Sequence, residues 1–363
     1  MLEVLRRLDP DRYEITVIAR SEGDLTRLLN EYGIHTVVLP ALVRPIDPFR
    51  DPLALWQLYR CFRRRRFDIV HTHSSKTGFL GRIAARVAGV RAVFHTVHGL
   101  PFHEFSGPWK RRVYALLERI GGCFTDRLIF VNHEERRLAV RLGLIADKKA
   151  STIYNGVDLA QIDAHSGRRA ALRGQWGLTE DDFLVGYVGR LWAQKDPQTL
   201  MRIIDLCRDL PVRFCIVGDG PYYTRFKERQ AEWKGTVLTG WMHDAVTVYP
   251  AFDVLILPSL WEGLSMTLLE AMAFGVPLIA SDIKGNRECV AHGINGYLCP
   301  PRAAAAFREA IEKIYAEPQL RAAMQDACLE RSRRFFDAEK NSSRVIELYE
   351  TALAEIRRQE RNG

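Results

Sequence analysis

No apolar run in this 363-residue chain approaches the roughly 20 residues that a bilayer-spanning helix needs, which excludes such a helix. Cysteine is sparse: seven residues, at 61, 123, 207, 215, 289, 299 and 328, with no CxxC pair. The odd number and scattered spacing exclude a disulfide framework and a cysteine metal site, and predict a reduced, cytoplasmic setting. The opening Met1-Leu2-Glu3-Val4-Leu5-Arg6-Arg7 lacks the charged-then-apolar order of a secretory signal. The composition of a disordered chain is missing too, since 47% of residues are hydrophobic and 26% charged. The length exceeds what one compact core usually takes, so two domains are expected.

Positive charge is present but uneven. Residues 1–160 hold 26 Lys and Arg against 17 Asp and Glu, while residues 161–363 are almost neutral. A basic first half suits an anionic partner, whether nucleic acid, phospholipid or a phosphorylated substrate; it also suits a merely solvated basic face. Arg63-Arg64-Arg65-Arg66 closes a predicted helix and Trp109-Lys110-Arg111-Arg112 opens another. Either run could be solvated or could dock on an anionic membrane.

Strand-like and helix-like segments alternate. Strands are predicted at 14–19, 35–39, 68–71, 92–97 and 127–131, with helices at 24–32, 52–65, 77–88 and 109–120. A second series has strands at 184–188, 214–217, 237–239, 254–257 and 278–280, with helices at 199–207, 224–233 and 266–274. Polar residues 155–182 read as a linker, and three helices follow Pro300. Such alternation predicts α/β architecture: two doubly wound parallel sheets, with ligands in a cleft at the carboxyl ends of their strands.

The densest chemical signal is Leu257-Pro258-Ser259-Leu260-Trp261-Glu262-Gly263-Leu264-Ser265-Met266, running on to Glu270. A strand ends there and a helix begins near Ser265. Gly263 permits close backbone approach, and amides at Leu264, Ser265 and Met266 could meet a phosphate. Glu270 could accept from a ribose diol and Glu262 from a second sugar; singly, each could be an ordinary helix-start or solvated acid.

The second signal, Val188-Gly189-Arg190-Leu191-Trp192-Ala193-Gln194-Lys195, puts two cations at a strand end, suited to a diphosphate leaving group. Gly218-Asp219-Gly220-Pro221 is a strand-end turn, weak alone. Trp241 and Met242 end the next strand, where they could pack on a nucleobase or simply join the core.

In the first half, His71, His73, His95, His98 and His103 gather without HxxxH spacing, so no metal site is read. His71 and His95 sit in apolar strands as satisfied core residues. His98 lies just past a strand end, and the loop His73-Ser74-Ser75-Lys76 suits a polar or anionic acceptor group.

These residues resemble retaining glycosyltransferases of family 4, which have the GT-B fold of two Rossmann-like domains facing a cleft. Glu262 and Glu270 look like that family's E-x7-E motif, and Gly189-Arg190 with Lys195, Gly218-Asp219-Gly220-Pro221 and Asn155-Gly156-Val157-Asp158 look like its other signatures. The histidine segments are similar to members that build bacterial surface polysaccharides.

The resemblance implies transfer of a sugar from a UDP-linked donor to a saccharide or polyprenyl-linked acceptor, with retained configuration, no metal and no cofactor beyond the donor itself. It gives Arg190 and Lys195 the diphosphate, Glu262 the donor sugar, Glu270 the ribose and His98 the region of the reacting carbon. Gly189, Gly218, Asp219, Gly220, Trp241, Met242, Gly263, Leu264, Ser265 and Met266 complete the donor site, and His73, Ser75 and Lys76 the acceptor side. It also implies an acceptor-side domain over residues 1–160, a donor domain over 161–337, and a closing helix at about 338–363 that packs back on the first domain. Its setting is the cytoplasm, peripheral on the inner face of the plasma membrane, with no nucleic-acid partner.

One departure stands out. The family opens with a strand and a Gly-Gly turn, and here Met1 falls where the following helix is already running. The expectation is a first domain without its opening strand, in a chain truncated at its start. Other readings are a hydrolase using Glu262 and Glu270 as acid and base, a non-catalytic nucleotide-sugar binder or inactive truncated homologue, and a nucleic-acid binder, for which no module is present.

Overall fold

Parallel strands joined in sequence need crossover helices. The computed structural model, which describes residues 1–43, 45–103 and 106–362, is built that way. It divides into two compact units, Met1–Tyr154 with Glu339–Gly363, and Asn155–Ala338.

In the first unit, β1 (Thr16–Ala19) pairs in parallel with β2 (His35–Val38). A second parallel sheet runs β3 (Ile69–His73), β4 (Ala92–Val97), β5 (Arg127–Phe130), β6 (Ala150–Thr152). Its helices are α1 (Leu2–Leu5), α2 (Asp24–Glu31), α3 (Arg50–Arg65), α4 (Ser75–Val87), α5 (Pro108–Cys123) and α6 (His133–Arg141). Side chains alternate across the larger sheet with the period of two that a strand imposes. Val93 faces a core with Ala54, Leu58 and Phe62 of α3 and Ala84 and Ala85 of α4. Ala92, Phe94 and Ile129 face the opposite core. Val97, Leu128 and Phe130 point to the same side as Val93 and meet Tyr114 of α5 and Ala139 of α6. Helices α3 to α6 therefore form one layer.

Ile18 of β1 and Leu39 after β2 pack into the core of α3 and α4, so both sheets share that layer. Among the described residues no strand joins β1 to β3, and the sheet of this unit is in two pieces.

The second unit holds one six-stranded parallel sheet. It comprises β7 (Phe183–Val188), β8 (Val212–Val217), β9 (Val237–Gly240), β10 (Val254–Leu257), β11 (Leu278–Ser281) and β12 (Gly296–Cys299), ordered β12-β11-β10-β7-β8-β9. The chain steps outward from β7 to β9, then returns to place β10 on the other side of β7. That reversal between β7 and β10 is a topological switch point, where loops at the strand carboxyl ends part and leave room for a ligand. Strands β7, β10 and β11 are buried throughout.

The expected linker at 155–182 is not one. It folds into α7 (Leu159–His165) and α8 (Arg169–Gln175), with Ile162 and Leu172 buried. Arg173, 1% exposed, explains how so polar a stretch packs. Its guanidinium donates to Ala251 O (3.0 Å), to Thr179 O and Asp182 O (each 2.8 Å) and to Asp253 Oδ2 (2.6 Å). Asp253 also takes Arg169 Nη2 at 2.8 Å and the Leu184 amide at 2.7 Å, so one carboxylate ties α8 to the start of β7. The unit edge accordingly falls at Tyr154, not at residue 160.

The remaining helices are α9 (Pro197–Leu206), α10 (Tyr223–Arg229), α11 (Met266–Ala273), α12 (Lys284–Cys289), α13 (Ala304–Ala316), α14 (Pro318–Phe335) and α15 (Ala338–Asn362). Helix α15 belongs to the first unit, where Val345, Tyr349, Ala352 and Ile356 cover Phe94 and Ile129. Gly363, the end of the expected closing helix, lies outside the described residues.

Candidate active site

Three strand ends of the second unit are fastened backbone to backbone. After β7, the Gly189 amide donates to Val217 O (2.9 Å) and the Leu191 amide to Asp219 O (2.9 Å). The Gly218 amide donates to Gly240 O at 2.8 Å. A Cβ at residue 218 would fall onto the carbonyl oxygen of Gly189, and one at 220 would lie 2.7 Å from Leu191 O. Both glycines are therefore required for the contact, and the Gly218-Asp219-Gly220 turn is more than a turn: it holds the cation loop in place.

That loop continues through a 3-10 turn, Ala193–Lys195, and Asp196 caps α9 by accepting from the Thr199 amide (3.2 Å) and hydroxyl (2.6 Å). Across the switch point, the Leu260 amide donates to Gln194 O at 2.8 Å. Lys195 Nζ then meets Glu262 Oε1 at 2.7 Å, with the side chains 15% and 9% exposed. Ser259 Oγ donates to the same oxygen (2.8 Å), and Gln194 Nε2 to Glu262 Oε2 (3.3 Å) and Trp261 O (2.9 Å). Behind this loop, a Cβ at Gly285 of α12 would lie 2.5 Å from Gly263 O.

Glu270 projects from α11, which Thr267 Oγ1 ties to Val188 O at 3.2 Å. Tyr249 Oη donates to Glu270 Oε2 at 2.7 Å. Burial raises the pKa of Glu270; the Tyr249 hydrogen bond and the Lys195 charge oppose the shift. Lys195 thus stands between two carboxylates, one paired with it and one within its field. An ammonium has three protons, so pairing with Glu262 leaves donors for an anion arriving at the strand ends.

Other expected donor residues are placed less centrally. Arg190 and Asp219 are exposed, Trp241 is 69% exposed and so not a core residue, and Met242 is half-buried beside it. Leu264 and Ser265 are buried and Met266 is exposed.

On the first unit, His73 Nδ1 and His98 Nε2 are 3.0 Å apart, and His71 stacks on His73 with ring centroids 4.5 Å apart. His71 bonds Thr96 Oγ1 (2.8 Å) and the Tyr349 hydroxyl, and His95 bonds Thr72 Oγ1 (2.9 Å), so both are satisfied core residues. Burial pushes His71 down to about 3, and burial with neighbouring histidines takes His73 and His95 well below the usual range. Ser75 is half-buried at the start of α4. Lys76, expected on the acceptor side, pairs its ammonium with Asp51 and donates to Val43 O (3.0 Å) and Pro45 O.

Sequence reasoning missed Gln194, Ser259, Tyr249 and Gly285. The first two lie inside the segments already singled out, so their position was the available signal. Tyr249 sits in the 3-10 stretch Ala245–Ala251, and no local pattern links it to Glu270.

Residues 1–161 match the family described as Glycosyltransferase Family 4, and residues 182–317 the one described as Glycosyl transferases group 1. The UDP-Gal:alpha-D-GlcNAc-diphosphoundecaprenol alpha-1,3-galactosyltransferase of Escherichia coli is 33% identical over 356 residues, covering 96% of this chain and 92% of that one. Putative glycosyltransferase EpsD of Bacillus subtilis is 30% identical over 318 residues, covering 85% and 81%. Among solved structures, Anabaena HepE in complex with UDP superposes with a TM-score of 0.80 at 21% identity, over 96% of this chain and 94% of that one. That likeness carries the fold alone: two α/β units with parallel sheets, the GT-B architecture.

Proposed function

The chain belongs to glycosyltransferase family 4, and on that premise we propose that it moves a sugar from a UDP-linked donor to a saccharide on a polyprenyl lipid, in polysaccharide synthesis. The observation that carries this reading is the convergence of Lys195, Glu262 and Glu270 at the β7–β10 switch point. UDP as the nucleotide is supported by the names of the E. coli relative and the Anabaena structure. The lipid-linked acceptor is supported by the former.

The chemistry follows from those groups. As the bond from the anomeric carbon to the diphosphate oxygen breaks, negative charge grows on the leaving group. Lys195 and Arg190 meet that charge, and a cation already held in place stabilises it without reorganisation. Glu262, held by Lys195, Ser259 and Gln194, accepts from hydroxyls of the donor sugar, and Glu270, fixed by Tyr249, accepts from the ribose. The acceptor hydroxyl bonds to the anomeric carbon on the face the diphosphate leaves, and its proton passes to the departing phosphate. Configuration is retained and no metal enters. His98 contacts the transferred sugar, and His73, Ser75 and Lys76 serve the acceptor side. The reaction takes place at the inner face of the plasma membrane; no helix among the described residues is long and apolar enough to cross it.

A panel of nucleotide-sugars offered with a GlcNAc-diphospholipid tests this. The expected result is single-sugar transfer with UDP release, an unchanged anomeric configuration by NMR, and activity that survives EDTA. Equal release of free sugar without acceptor would indicate a hydrolase. UDP binding with no turnover of any donor would indicate a non-catalytic binder.

A further inference from the structure

Helix α5 packs Tyr114 and Ala115 on the Phe130 core and is most deeply buried at its far end. Its only buried residues are Glu118, Gly121 and Gly122. Glu118 pairs with the fully buried Arg82 of α4 at 3.1 Å, the Arg82 guanidinium lies against Gly121, and Gly122 abuts the Leu144 carbonyl. The first ten residues of the helix, 108–117, include no buried one. At about 100° per residue, Trp109, Val113, Leu116 and Ile120 fall within an arc of roughly 60°. That arc is centred opposite Glu118. All four are exposed, Trp109 at 75% and Leu116 at 59%.

The charge on this helix has one sign. Lys110, Arg111, Arg112 and Arg119 are exposed, and no ion pair among the described residues engages any of them. The single carboxylate of α5, Glu118, is turned inward on Arg82. An apolar stripe with tryptophan at its leading end, flanked by Lys110 on one side and by Arg112 and Arg119 on the other, and without exposed anions, has the chemistry of a helix lying in a lipid headgroup layer. A protein partner for the stripe would have to match uncompensated cations on both flanks; an anionic bilayer does so over its whole area. In the same helix layer, α3 exposes Trp56 with Arg60 stacked over its ring at 5.2 Å, a second place of like character.

We propose that the outer face of α5 docks the protein on an anionic phospholipid bilayer, with the Trp109–Ile120 stripe in the headgroup layer and its basic rim on lipid phosphates. This deepens the proposed function, since it rests on the reading that the acceptor is carried on a lipid, and it names the surface that meets that lipid's membrane.

The test is flotation of the full chain with vesicles of phosphatidylcholine alone or with roughly a quarter phosphatidylglycerol. Wild type should float with the anionic vesicles only and detach as salt rises. The triple variant K110Q/R112Q/R119Q should lose on the order of 100-fold in partitioning, at roughly tenfold or less per cation. W109S/L116S should lose at least about tenfold through its apolar area. Either variant floating like wild type, or wild type floating equally with neutral vesicles, would overturn the proposal. So would sedimentation velocity showing a dimer that W109S/L116S dissociates while flotation is unchanged. UDP binding without vesicles, measured in parallel, should be the same in all three proteins. Its absence from wild type would count against the transferase reading and leave the docking result standing.

Discussion

The two units are built from the same alternation of strand and helix, yet they differ in where their polar groups are spent. In the second unit the sheet is unbroken, and its polar groups are locked to one another: Arg173 on Asp253, Lys195 on Glu262, Tyr249 on Glu270. In the first, among the described residues, the sheet is in two pieces and the pairs, such as Arg82 on Glu118 and Lys76 on Asp51, are spread through the helix layer; seven of the ten histidines lie there, and an apolar helix face is left outside. A site that recognises one nucleotide demands fixed backbone geometry, because an error of an ångström can cost about a hundredfold in rate. A surface that meets a membrane demands only the right area and sign of charge. The difference teaches why motifs concentrate in the second unit while the first speaks through composition.

The sharpest way to break this contrast is Arg173→Ala. It leaves Asp253 buried with one partner fewer and several carbonyls without donors, a loss of about 3–5 kcal/mol. Hydrogen exchange should show the loss over residues 155–338, with the first unit's strands still protected. Equal loss of protection in both units would mean that they are not separate cooperative blocks.

Gly218→Ala comes next, since its Cβ meets the Gly189 carbonyl and its φ of 137° strains an L-residue. Stability should fall by about 1–3 kcal/mol, and UDP affinity should fall with it as the cation loop is displaced. A thermal shift without any change in UDP binding would separate the turn from the site.

Acid should distinguish the units with opposite signs. His71, His73 and His95 of the first unit have folded pKa values below their unfolded one, His71 at about 3. The unfolded chain then takes up protons that the fold refuses, so stability present above about pH 6.5 is lost on acidification below it, by up to about 1.4 kcal/mol per pH unit for each histidine. In the second unit Glu270 is raised by burial. Its contribution is full below its unfolded pKa and is lost as pH rises through the folded one. Denaturant titrations at pH 7.5 and 5, read by exchange over residues 69–98 and 254–281, should show the first segment weakening more. Equal weakening would mean that the histidines are hydrated.

Much of this was legible from the chain. Strands β7 and β10 stand out because long apolar runs bounded by turn residues have few other uses, and the glutamate spacing and the cation loop were read as parts of one site. What was hidden is instructive. The 155–182 stretch reads as linker because composition registers an arginine as a surface residue, whereas Arg173 packs by satisfying its donors on carbonyls. Strand β6 has three residues and β12 opens on Gly296, too little for a periodic signal. The Lys195–Glu262 pair joins residues far apart in the chain, and only the β7–β10 adjacency brings them together. The Lys76–Asp51 pair was hidden for the same reason, since sequence does not show which carboxylate a lysine meets.

The most direct test is calorimetric titration of UDP into wild type and Lys195→Ala at the same ionic strength, with Glu262→Gln beside them. If the ammonium between the two carboxylates receives the diphosphate, the alanine variant should bind UDP at least about tenfold more weakly, in keeping with the 1.5–3 kcal/mol of a hydrogen bond to a charged group. Glu262→Gln should keep UDP affinity and lose the preference for UDP-sugar over UDP. Undiminished UDP binding by Lys195→Ala would contradict the account.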